Sequence, residues 1–127
     1  LNFPRFLPDN YIEKNEKIKI YKRALALKTF EELEDLHKEL EDRFGRLKSE
    51  AKGFFEFLKI RIRARELGIV SIKEDKEKRI LINFNEEKIN VDKIIYLLAN
   101  KKISYLKFTQ TIGFEGDIFE FFDLYSN

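Results

Sequence analysis

The hydrophobic rhythm of this chain changes once, at Gly68. Before that residue, apolar side chains return at helical intervals. After it, they crowd into short β-branched and aromatic runs. A helical first half and a strand-rich second half predict an α+β fold, with N-terminal helices followed by a small, mainly antiparallel sheet and further short helices.

The first helix is predicted from about Asn15 to Lys28, where Ile18, Tyr21, Ala24, Leu25 and Lys28 recur at helical spacing. Thr29 with Glu32 is a capping box that opens a second helix. Leu33, Leu36, Leu40 and Phe44 form its apolar stripe, and Gly45 supplies the left-handed stop. A third helix begins near Ser49, turns Ala51, Phe54, Phe55, Leu58, Ile62 and Ala64 or Leu67 inward, and ends at Gly68. Leu40 and Phe44 are thus expected in the core, with Phe54, Leu58 and Ile62 opposite them.

Beyond Gly68, Ile69 to Ile72 and Arg79 to Phe84 are predicted as strands joined across the charged turn at 74–78. Asn90 can cap a short helix containing Val91, Ile94, Ile95, Leu97 and Leu98. Ile103 to Thr111 is predicted as one strand. Asp117 then caps a last helix carrying Ile118, Phe121, Phe122 and Tyr125. Both prolines, Pro4 and Pro8, sit in the first dozen residues and bias them to extended geometry. The expected organisation is an extended arm or linker over 1–12 and a single domain over 13–127.

A chain of 127 residues with 13 Phe and 5 Tyr has ample core material and is no disordered tail. Charged residues make up 38% but nearly cancel at +2, which gives no case for a general nucleic-acid binder. Cysteine is absent, excluding disulfides, thiol nucleophiles and sulfur-ligated metals. The lack of Cys and Met beside abundant Lys and Glu suits a hot-living source. No apolar run is long enough to cross a bilayer and no leader is visible, so a cytoplasmic, monomeric domain is expected. A start at Leu1 rather than Met is expected of a piece of a longer polypeptide.

Chemistry-bearing constellations are missing. His37, the sole histidine, lies beside the leucine stripe of the second helix without partners at ligand spacing, and reads as a packed or solvated side chain. Ser49, Ser71, Ser104 and Ser126 sit in no nucleophile-elbow setting, and the five glycines form no phosphate loop. The expectation is a domain with no catalytic, metal or cofactor site.

Two charge features remain. Lys59, Arg61, Arg63 and Arg65 crowd the end of the third helix, where cations also suit the helix dipole. Lys59–Arg63 and Arg61–Arg65 share faces at i,i+4, so the four do not form one stripe. They read either as helix-end charge or as a contact for phosphate. The second helix carries seven carboxylates between Glu31 and Asp42. At about 100° per residue, Glu32, Asp35, Glu39 and Asp42 fall on one narrow flank. Asp42 lies near the helix C-terminus, where the dipole disfavours it, so helix stability does not explain the stripe. It is either a solvated face or a docking strip for a basic partner.

Several ordered segments now carry a resemblance. They are Leu7-Pro8-Asp9-Asn10-Tyr11-Ile12, Tyr21-Lys22-Arg23-Ala24, Glu32-Leu33-Glu34-Asp35-Leu36 and Glu39-Leu40-Glu41-Asp42-Arg43-Phe44-Gly45-Arg46-Leu47. Leu58-Lys59-Ile60-Arg61 and Ala64-Arg65-Glu66-Leu67-Gly68-Ile69 follow. Over about the first two thirds of its length the chain resembles the C-terminal domain of bacterial transcription-repair coupling factors, the Mfd family. It departs at Lys48, where the family has proline, and at Ile103–Gly113, shorter than the family's usual hairpin.

The resemblance implies a parent that is an ATP-driven DNA translocase, with ATP and Mg confined to its motor. That parent displaces stalled RNA polymerase and recruits nucleotide excision repair of damaged DNA through UvrA. It also implies that the C-terminal domain is an autoinhibitory clamp, packed on the parent's UvrB-like module and hiding the surface UvrA uses. The family's acidic contact positions map onto Glu39 and Asp42, two residues of the flank found by helical geometry. Two other readings stand beside it: a nucleic-acid-binding accessory domain using Lys59–Arg65, and a structural cap without regulatory function.

Overall fold

Two antiparallel helices, tied to each other by crossed ion pairs, begin the architecture. The structure is a computed structural model that describes residues 12–106 and 111–127. The expected arm therefore lies outside the described residues except for Ile12, which is buried. The chain separates into two compact units, one running through Ile62 and the other from Arg63 to Asn127.

In the first unit, α1 spans Lys14–Ala26, α2 spans Phe30–Phe44 and α3 begins at Ser49, continuing to Glu66. Thr29 caps α2: its Oγ1 accepts the Glu32 N–H at 3.1 Å and donates to Glu32 Oε1 at 3.2 Å. The reciprocal arm of the capping box thus runs through the hydroxyl. Leu33, Leu36 and Leu40 are buried, and Phe44 packs at the edge of the same core. Gly45 ends α2 at φ 90° and ψ −179°, a conformation open essentially to glycine alone. From α3, Ala51, Phe54, Phe55, Leu58 and Ile62 close the core, with Phe54 edge-on to Tyr21 at 5.7 Å. Ile60, not assigned to the inward face by spacing, is also buried.

The residues that recur at helical spacing in α1 do not all face one way: Ala24 is buried and Tyr21 packs against the core, but the rest of the set does not follow them. Ile20, Ala24 and the stem of Lys17 are buried, while Ile18 and Leu25 are 57% and 52% exposed and Lys28 lies beyond the helix. Two overlapping stripes fit this mixed sequence, and packing on α2 and α3 selects the one whose lysine can bury its aliphatic chain.

The second unit is a four-stranded antiparallel sheet with two helices. Its strands are β1 (Ile69–Glu74), β2 (Ile80–Phe84), β3 (Ser104–Leu106) and β4 (Thr111–Phe114), in the order β1-β2-β4-β3. Helices α4 (Val91–Ala99) and α5 (Ile118–Ser126) follow β2 and β4 respectively. The α+β prediction holds. The single strand expected over Ile103–Thr111 does not: β3 and β4 pair antiparallel, Ser104 opposite Gly113, so the run contributes to two strands. β-Branched and aromatic residues on both sides of 107–110 mask that division in the sequence.

Asn90 Oδ1 accepts the Lys93 N–H at 3.1 Å and Asp117 Oδ2 accepts the Phe119 N–H at 3.1 Å, so both caps form as expected. Ile118, Phe121, Phe122 and Tyr125 are all buried. Tyr125 stacks on Phe121, and its hydroxyl accepts the Asn90 N–H at 2.8 Å, fastening α5 to the start of α4. In the turn between β1 and β2, Asp75 accepts from the backbone N–H groups of Glu77 and Arg79 and from Arg79 Nε.

Candidate docking face and its ion pairs

The leucine stripe of α2 fixes the helix rotationally, so its other side chains have defined directions. Glu31, Glu32, Asp35 and Asp42 are exposed. They do not share one state. Glu32 is engaged by the Thr29 cap, whereas Asp35 and Asp42, i,i+7 on the outer face, have no ion pair or hydrogen-bonded side chain among the described residues.

Glu39 is different. Its carboxylate meets the Arg23 guanidinium of α1 and, at 3.7 Å, that of Arg43 one turn along α2. Arg43 also reaches Glu16 of α1 at 3.2 Å. The resulting chain, Arg23–Glu39–Arg43–Glu16, laces the two helices across their exposed seam. The hydrogen bond from Arg23 leads the causes that hold the Glu39 carboxyl below its ordinary value; desolvation opposes it, and the nearby charges of Arg23 and Arg43 add to the lowering. The side chains are 33–49% exposed, so water screens the network.

Of the candidate partner-binding residues Glu39, Asp42, Asp35 and Glu32, only Asp35 and Asp42 thus present uncommitted charge. Spacing alone missed the partners of Glu39. Arg43, at i,i+4, was visible in the sequence, but Arg23 is sixteen residues away and its approach is a product of packing.

Among the basic residues of α3, Lys59 pairs with Glu56 at 3.0 Å and Arg63 with Glu66 at 2.9 Å. Arg61 and Arg65 are exposed and have no ion pair among the described residues. His37 lies 5.0 Å from the Phe55 ring and places Nε2 3.0 Å from Glu41, a partly exposed side chain resting on an aromatic ring. The hydroxyls of Ser104 and Ser126 donate to backbone carbonyls, and that of Ser71 accepts from Asn83. Among the described residues no three His, Asp or Glu side chains group as metal ligands, and no helix is long and apolar enough to cross a membrane.

Residues 1–94 match the family model described as the TRCF domain. The transcription-repair-coupling factor of Escherichia coli (strain K12) is 36% identical over 122 residues, covering 89% of this chain. That of Borreliella burgdorferi is 33% identical over 100 residues, covering 77%. The chain spans about a tenth of the length of these relatives: 10% and 9% respectively. A crystal structure of the C-terminal domain of transcription-repair coupling factor aligns with a TM-score of 0.75 at 20% identity, covering 98% of this chain and 84% of that one. It shares the fold. With three quarters of its residues inside the family model, the chain belongs to the transcription-repair-coupling factor family and carries its TRCF domain.

Proposed function

We propose that this domain is the autoinhibitory clamp of a cytoplasmic transcription-repair coupling factor, docking through α2 on the UvrB-like module of the same polypeptide. Docking masks the surface to which UvrA binds. The parent is an ATP-dependent DNA translocase that displaces stalled RNA polymerase; ATP and Mg belong to its motor, and this domain holds neither. The observation that supports the reading is the pair of exposed carboxylates Asp35 and Asp42, which have no ion pair among the described residues and lie on a helix within the family-matched segment. Such groups keep their full charge available for a basic surface, set the register of contact and resist wrong partners. Glu39 joins the interface by sharing its outer oxygen surface while remaining bound to Arg23.

The test compares UvrA binding by the intact parent with that by Asp35→Ala/Asp42→Ala, fold checked by circular dichroism. Exposed contacts contribute below about 1 kcal/mol each and desolvated ones about 2–5. Increased UvrA binding by the variant is the expected result. Unchanged binding at both low and moderate salt removes the α2 carboxylates from the clamp.

A second reading has one observation in its favour: Arg61 and Arg65 share a helical face and have no ion pair among the described residues. A nucleic-acid contact there weakens steeply with salt and falls on charge reversal of both residues.

A further inference from the structure

On α1, the side facing away from the core has a composition unlike that of α2. Lys14, Ile18, Lys22 and Leu25 follow one another at steps of four, four and three, which places all four within about 80° of helical arc. All four are exposed, and Ile18 and Leu25 show more than half of their surface to solvent. The buried positions of the helix are Lys17, Ile20 and Ala24, so this strip lies outside the buried core. Its lysines are also uncommitted. Lys19 approaches Glu16 at 4.0 Å and Arg23 holds Glu39, but Lys14 and Lys22 have no ion pair among the described residues.

We propose that the Lys14–Ile18–Lys22–Leu25 strip of α1 is a second docking surface, whose partner is an acidic amphipathic helix. Two aliphatic side chains alternating with two ammonium groups need a ligand that alternates apolar side chains with carboxylates. A helix supplies both at matching pitch, its apolar residues covering Ile18 and Leu25 while its carboxylates meet the flanking lysines. The lysine stems extend the apolar contact and keep the charged heads at the rim. Phosphodiester backbones make no use of the aliphatic pair. A bilayer surface requires a broader apolar face than two side chains. The strip is opposite in sign to the outer face of α2, so the two surfaces of this unit select different partners.

The probe is a labelled helical peptide with a leucine stripe bordered by glutamates, compared with versions bordered by glutamine and by lysine. Each is titrated by fluorescence anisotropy against the 127-residue chain, and the contact is mapped by amide chemical shifts. The glutamate peptide is expected to bind about tenfold or more tighter than the other two, with shifts concentrated over Lys14–Ala26. Lys14→Glu/Lys22→Glu and Ile18→Ser/Leu25→Ser should each weaken it by about tenfold or more, whereas Asp35→Lys/Asp42→Lys should not weaken it. That last pair separates this surface from the α2 clamp. Should the serine variant fail to fold, the shift map and the charge reversal still decide. Equal affinity for the three peptides, shifts away from α1, or indifference to the lysine reversal overturns the proposal. So does binding of duplex DNA or of anionic phosphatidylglycerol vesicles without binding of the glutamate peptide.

Discussion

Glu39→Ala separates two functions that the acidic flank of α2 combines. The substitution removes the contacts to Arg23 and to Arg43 at 3.7 Å, and leaves Arg43 with Glu16 alone. All of these groups are at least a third exposed, so each lost pair counts for about 0.2–1 kcal/mol after solvent screening. Because one pair crosses between helices, the expected destabilisation is about 0.5–1.5 kcal/mol at low ionic strength. About half or more of it should vanish near 1 M salt, where the Debye length is about 3 Å. Asp42→Ala provides the contrast. Asp42 is exposed, has no ion pair among the described residues and lies near the negative end of the helix dipole, so its loss should change stability by less than about 0.5 kcal/mol. Urea denaturation followed at 222 nm, with Arg23→Ala completing a double-mutant cycle, measures both. A vanishing Arg23–Glu39 coupling energy would refute the cross-helix tie. A loss above about 2 kcal/mol that salt does not reduce would refute the screened, exposed character assigned to it.

Two further outcomes follow from the same unit and from the sheet. Leu40→Ala, at a fully buried position, should cost about 2–5 kcal/mol, whereas Ile18→Ala, more than half exposed, should cost about 0.5 or less; similar thermal shifts for the two would show that the core is misassigned. The carboxyls of Glu39 and Asp75 titrate below their ordinary values of 4.5 and 3.8. For Asp75, desolvation acts upward but is outweighed by hydrogen bonds from Arg79 and Glu77. A depressed folded value means that the stabilisation is complete above the ordinary value and is lost as pH falls through the folded one. Acid titration of stability should therefore show a loss below about pH 4.5 that Glu39→Gln and Asp75→Asn each diminish; an unchanged acid limb in both variants would contradict the pairing.

What the amino-acid order determined on its own was local. Thr29, Asn90 and Asp117 act on N–H groups two or three residues away, and the stripe Leu33–Leu36–Leu40 repeats within one helix. Contacts of that range depend only on the helical pitch, so spacing reveals them. The family was legible for a related reason, because it is carried by ordered short segments. The inward face of α1, the division of the 103–114 run and the strand order β1-β2-β4-β3 were settled by packing. The candidate docking face divides in the same way. Its acidic flank could be drawn from residue spacing, but which carboxylates remain free could not. Glu39 is occupied because folding brings Arg23 to it across sixteen residues, whereas Asp35 and Asp42 are exposed and have no ion pair among the described residues. Charge placement follows the pitch of one helix, whereas charge pairing depends on which surfaces burial of the apolar core forces together.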